Sequence, residues 1–145
     1  MMPTDTMRTI LAVKAKAPAG LTVQWSDGTR ANIDIADILR SRRFHALRDP
    51  GEFGRVRVGE CGHSIAWALG HELSADTLWL EALSSMGRAD TREFLTWRLR
   101  HGLSLNGAAS ALGLSRRMVA YYSNGEKPVP LSILLACKSW DVGRG

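Results

Sequence analysis

Cysteine is scarce in this chain. Cys61 and Cys137 are the only two in 145 residues, and they lie far apart, so two reduced thiols are expected rather than a disulfide framework. Long apolar runs are missing as well. No stretch approaches the roughly 18 consecutive apolar residues that a membrane span requires, and residues 1–11 lack a basic segment followed by a long apolar run. A cytoplasmic protein is expected. There is no internal repeat and no low-complexity tract, which excludes a solenoid and a disordered tail. The 14 glycines make no phosphate-cradling loop, and neither Ser64, Ser74 nor the histidines sit in a nucleophile elbow.

The best candidates for chemistry are Cys61, His63 and His71, with Glu72 beside them. A Cys-x-His step with another His eight positions on is loosely metal-like, yet it offers one thiol, and Cys137 is remote. The plainer reading is a turn around residues 59–62 whose polar side chains face water. The sequence therefore predicts no catalytic residue, no metal ligand and no cofactor.

What is present is apolar mass and an uneven charge. With 45% apolar residues and five Trp, the chain can fill a core without staples. Residues 1–90 carry 11 Lys and Arg against 11 Asp and Glu, and residues 91–145 carry 8 against 3, so the whole net charge of +5 lies in the last third. A polyanion would meet that third. A short, small and polar seam, Ser84-Ser85-Met86-Gly87-Arg88-Ala89-Asp90, separates strand signals before it from helical ones after it. Two domains are expected, over residues 1–86 and 87–145.

Before the seam, residues 10–17 and 21–25 alternate apolar and polar, with Leu21, Val23 and Trp25 on one strand face. Ser26-Asp27-Gly28 makes a tight turn, so residues 30–33 should return antiparallel. Asp34 is expected to cap a helix over residues 35–43 that ends in Arg40, Arg42 and Arg43, where cations complement the helix dipole. Asp49-Pro50-Gly51 reads as a second turn, followed by a strand pair over residues 54–58 and 64–67 that puts Arg55 and Arg57 on one polar face. Ser74 then caps a helix to about residue 84, and Leu73 and Leu78 have the spacing of a hydrophobic staple. The expectation is a small α+β domain of two strand pairs and short helices.

After the seam, Asp90 or Thr91 can cap a helix whose Phe94, Trp97 and His101 share a face, and Gly102 ends it. Residues 103–125 then show a two-helix pattern with a glycine turn. Ala108, Ala109 and Leu112 give the first of these helices a small apolar face, Gly113 permits a left-handed turn, and Ser115 caps the next helix. That helix should turn Val119 and Tyr122 inward and Arg116, Arg117 and Tyr121 outward. A last helix over residues 130–139 offers Leu131, Leu134, Leu135 and Trp140 for packing. This is the layout of a DNA-reading helix-turn-helix.

Two resemblances follow. Ser26 to Thr29, the Ile33-Asp34-Ile35 step, residues 44–53 around Asp49-Pro50, and residues 73–79 resemble a small bacterial domain of unknown function, family 2442. Its members occur alone or fused to a helix-turn-helix, and some are similar to partners in toxin-antitoxin pairs. Arg98, the Gly102-Leu103-Ser104 step, Ala109, the Leu112 to Ser115 turn and Gly125 resemble the Cro and phage-repressor class. That likeness implies an all-α, lambda-repressor-like domain. Carried over by position, it places base reading at Arg116, Arg117 and Tyr121, and phosphate contacts at Ser115, Asn124 and Lys127. Two positions depart from the class: Leu105 stands where it usually has a phosphate-bracing Gln, and Ser123 stands where a Glu would pair with Arg98. Arg98 is thereby left to face phosphate, or to cover Trp97 or Phe94 with its stem.

Arginine at the N-terminal end of an inserted helix matches guanine O6 and N7 with its planar fork. Tyr121 could contact a thymine methyl, a phosphate or a dimer partner. The sequence thus predicts a cytoplasmic transcriptional regulator that binds double-stranded DNA as a homodimer on a palindromic site, with the last helix and the α+β domain both candidates for the dimer contact. The alternatives are an antitoxin-like protein that holds a protein partner with its N-terminal domain and autoregulates its own gene, and a ligand-gated regulator.

Overall fold

The computed structural model describes residues 8–144. They combine two three-stranded antiparallel sheets with seven α-helices and two 3₁₀ stretches, an α+β architecture, and divide into two compact units at residues 86/87.

In the first unit the alternating pattern becomes a meander. Strands β1 (Ile10–Lys16), β2 (Gly20–Trp25) and β3 (Arg30–Asp34) pair in sequence order, and Leu21 opposite Ile33 and Val23 opposite Ala31 set a register that keeps one face apolar. Leu21, Val23 and Trp25 are all buried. The turn between β2 and β3 is held by the Asp27 carboxylate, which accepts from the Thr29 N–H at 2.9 Å and pairs with Arg8 at 2.6 Å. Partial burial opposes ionisation of Asp27, but the Thr29 donors and the Arg8 charge outweigh it and hold its pKa below the usual 3.8.

The expected helix over residues 35–43 is broken. Helix α1 (Ala36–Leu39) is one turn long, Ser41 is extended, and a 3₁₀ stretch covers Arg42–Arg48. The face that carries Ile35 and Leu39 would next present Arg43, four residues on, so a continuous helix would drive a charge inward. The break instead lets Phe44 and Leu47 bury. Arg48 fills the gap by donating to the carbonyls of Leu39 and Arg40, at 3.0 and 3.2 Å. Asp34 acts just ahead of the helix, its Oδ1 accepting from Ala36 N–H at 2.8 Å, while Ile35 occupies the cap position.

Asp49-Pro50-Gly51 is likewise more than a turn. Asp49 caps the one-turn helix α2 (Pro50–Phe53), with proline at its start. Strands β4 (Arg57–Val58), β5 (Ser64–Ala66) and β6 (Glu72–Ser74) form the second sheet. The expected strand pair is shorter than its sequence window and leaves Arg55 outside it, and β6 adds a third strand too short to announce itself by alternation. Ser74 caps helix α3 (Ala75–Ser85) by accepting from Thr77 N–H, as the sequence predicts. Trp79 on α3 meets Trp25 edge to face, with centroids 5.4 Å apart, and Phe53 stacks with Trp67 at 6.2 Å.

The second unit consists, among its described residues, of four helices: α4 (Ala89–Arg100), α5 (Leu105–Leu112), α6 (Arg116–Asn124) and α7 (Leu131–Arg144). Phe94, Trp97, Leu105, Ala108, Val119 and Tyr122 belong to one buried cluster. Neither Asp90 nor Thr91 caps α4. Arg88 holds the cap position, while the Asp90 carboxylate reaches the Val129 N–H at 2.8 Å. On α7 the burial of Cys137, with Ile133, Leu134 and Trp140 packed against the cluster, turns the opposite stripe outward, so Leu131 and Leu135 are exposed rather than packed. Burial, reinforced by the negative charges of Asp141 and Glu93, pushes the Cys137 thiol pKa up to about 12.

Gly62 sits at φ +74°, and a Cβ there would lie 2.6 Å from the carbonyl oxygen of Ile10. Gly62→Ala should therefore lower unfolding stability by at least about 2 kcal/mol, read by tryptophan fluorescence in denaturant. An unchanged midpoint would mean that this close approach is slack.

Candidate nucleic-acid interface

Local sequence explains how α5 and α6 are joined. Ser104 accepts from Gly107 N–H at 2.9 Å and starts α5, Gly113 ends it at φ +70°, and Ser115 accepts from Met118 N–H at 3.0 Å to start α6. A side chain at Gly113 would meet nothing within 4 Å, so the glycine is there for its backbone conformation. Gly125 closes α6 in the same way, at φ +84°.

One face of α6 is spent on the core. Val119, Tyr122 and Ser123 are buried, with Tyr122 edge-on to Phe94 at 5.6 Å. That fixes the roll of the helix and leaves Arg116 and Arg117 exposed at its N-terminal end. Arg116 has no hydrogen-bond or ion-pair partner among the described residues. Arg117 Nε donates to the Tyr121 hydroxyl at 2.7 Å, and the Arg117 guanidinium and Lys127 Nζ lie 5.5 and 5.2 Å from the Tyr121 ring centroid. Asn124 accepts from Glu126 N–H at 3.2 Å, and Lys127 is exposed. Of the residues expected to touch DNA, Ser115, Arg116, Arg117, Tyr121, Asn124 and Lys127 thus fall on α6 or the turns at its two ends.

Arg98 does not join them. It is 2% exposed, and its guanidinium donates to Ser123 Oγ at 3.2 Å, so it is an internal brace between α4 and α6 and cannot reach phosphate. Ser123 is small enough to leave the room that the guanidinium fills. Leu105, where a bracing Gln was expected to be missing, is buried in the core.

No sequence spacing marks Arg88 and Asp90 as organisers of the loop after α6. Arg88 donates to the carbonyl of Gly125 at 2.9 Å and to Thr91 Oγ1 at 2.9 Å, and lies 3.5 Å from the Asp90 carboxylate. Partners almost forty positions apart leave no local spacing signal. Partial burial opposes ionisation of Asp90, but the N–H groups of Val129 and Thr91 and the Arg88 charge prevail, and its pKa stands below 3.8.

In the first unit a groove of about 680 Å³ is lined by residues including Arg43, Cys61, His63, Ser64 and Glu72. Glu72 there accepts from Ser64 Oγ at 2.7 Å, and His71 tilts against Phe44 at 5.7 Å. Among the described residues no group of three His, Cys, Asp or Glu side chains is arranged to hold a metal ion. No described helix is long and apolar enough to cross a membrane.

The profile of a family described as "Protein of unknown function (DUF2442)" matches residues 10–84, just over half of the chain. The chain belongs to this family. It is also similar to a solved crystal structure named "Putative DNA Binding Protein NE0471" from Nitrosomonas europaea ATCC 19718, with 36% identity, a TM-score of 0.69, and coverage of 96% of this chain and 90% of that one. No curated protein matches the chain. The family match covers β1 to α3, and the likeness to the solved structure extends beyond it.

Two outcomes test this geometry. A carboxylate with a depressed pKa stabilises the folded state above its unfolded pKa, and that contribution is lost as pH falls through the folded value. Asp90→Asn should therefore be about 1 kcal/mol less stable than the parent at neutral pH, with the gap closing below pH 3.8 in thermal unfolding; a pH-independent gap would contradict the assignment. Arg98→Ala should cost about 2 to 3 kcal/mol in denaturant unfolding, whereas a surface arginine would cost almost nothing.

Proposed function

We propose that α5, the Gly113 turn and α6 form a helix-turn-helix of the Cro and phage-repressor class, and that the chain binds double-stranded DNA sequence-specifically with α6 in the major groove. One observation carries this reading: α6 buries Val119, Tyr122 and Ser123 and turns Arg116 and Arg117 outward at its N-terminal end, with no acidic side chain along the helix. Arginine there can fork onto guanine O6 and N7, while Lys127 and the serine at the α6 cap meet phosphates. The excess positive charge of residues 91–145 favours the same partner. The name of the Nitrosomonas protein, to which the chain is similar over nearly all its length, supports the reading too.

In this proposal the chain is a cytoplasmic transcriptional regulator that occupies a promoter site. One small reading helix discriminates poorly against a genome, so it acts as a homodimer on palindromic half-sites about one helical turn apart. The α+β unit of the DUF2442 family then supplies a dimer or partner contact.

Fluorescence anisotropy against the chain's own upstream DNA and a scrambled duplex, at two salt concentrations, tests the proposal. The parent should prefer the upstream duplex by at least about a hundredfold, a ratio that persists as salt weakens both. Replacing both arginines (Arg116→Ala with Arg117→Ala) should keep the melting temperature and bring the ratio close to one. A parent that binds both duplexes equally and weakly, with binding collapsing in salt, would overturn it.

A further inference from the structure

Resting on the reading of α6 as the base-reading helix, we propose that Tyr121 is a positioning residue that presents Arg117 to DNA in a single orientation and is not itself the base contact. Residues 117 and 121 are one turn apart on the same face of α6. The Tyr121 hydroxyl accepts from Arg117 Nε at 2.7 Å, and the guanidinium carbon lies 5.5 Å from the ring centroid, so the guanidinium is held both by a hydrogen bond and by the ring. Lys127, from the loop after the helix, places Nζ 5.2 Å from the same centroid. The ring is thereby fixed from a second direction.

The consequence is stereochemical. A guanidinium can make paired hydrogen bonds from the edge that includes Nε or from its two terminal nitrogens. The tyrosine occupies Nε, which removes the first edge and leaves the terminal pair for guanine O6 and N7. Fixing the side chain beforehand also removes part of the rotamer entropy that binding would otherwise cost. Arg116 has no such partner among the described residues, so the two adjacent arginines are unequal. Arg117 is the preorganised reader and Arg116 the adaptable one.

The test is a single-base-pair substitution series across the preferred duplex, measured for the full-length parent, Tyr121→Phe, Arg117→Ala and the double variant. Tyr121→Phe keeps the ring and removes only the hydroxyl. It should keep the melting temperature and the affinity for scrambled DNA. Discrimination should fall by about threefold to tenfold, only at the base pairs where Arg117→Ala also loses it, and the double variant should lose no more than Arg117→Ala alone. Parental discrimination in Tyr121→Phe would overturn the inference, as would loss at base pairs indifferent to Arg117, additive losses in the double variant, or a uniform fall in affinity with a lowered melting temperature. A parent with no preferred duplex overturns the reading of α6 and this inference with it, whereas parental behaviour of Tyr121→Phe beside a parent that discriminates removes the inference alone.

Discussion

A charged side chain inside the helical unit governs how α4 and α6 meet: the Arg98 guanidinium, 2% exposed, donates to Ser123 on the inner face of α6. Burying a guanidinium without partners would be costly, so the Ser123 hydroxyl that it meets ties α6 to α4 at this point. Val119 and Tyr122 lie on the same inner face, and together these residues set the roll of α6. Once that roll is set, Arg116 and Arg117 have nowhere to go but outward. The candidate interface is in this sense the remainder left by the core.

A second constraint acts on the loop after α6. Arg88 holds the Gly125 carbonyl, Asp90 holds the Val129 N–H, and between these anchors the chain brings Lys127 to the Tyr121 ring. Local and distant contacts thus converge on the same few side chains, a common way of keeping a recognition surface rigid.

Legibility in the sequence tracked how local the determining physics is. The caps at Ser74 and Ser115 and the left-handed glycine at position 113 depend on residues within a turn of one another, and each is readable; Ser104, expected as the first residue of its helix, is instead the cap. The antiparallel return of β3 onto β2 is readable too, announced by alternation and the turn Ser26-Asp27-Gly28. The broken helix after Asp34 was not, because the choice between a continuous helix and a 3₁₀ stretch depends on Phe44 and Leu47 reaching a core assembled from other elements. Strand β6 has three residues and one apolar side chain, too little pattern to detect. In the site, the positions on α6 were legible from helical spacing. The inward turn of Arg98 was not, since a long cationic side chain is ordinarily exposed and its partner Ser123 is far away in sequence.

The α+β unit carries the family match, and the net positive charge and the exposed Arg116 and Arg117 belong to the other unit. Titrating the ¹⁵N-labelled full chain with its own upstream duplex and following backbone amide shifts locates the contact residue by residue. The largest changes should fall at residues 115–121 and 125–127, with residues 10–84 nearly unmoved. Changes centred on residues 10–84, with α6 silent, would contradict the reading of α6.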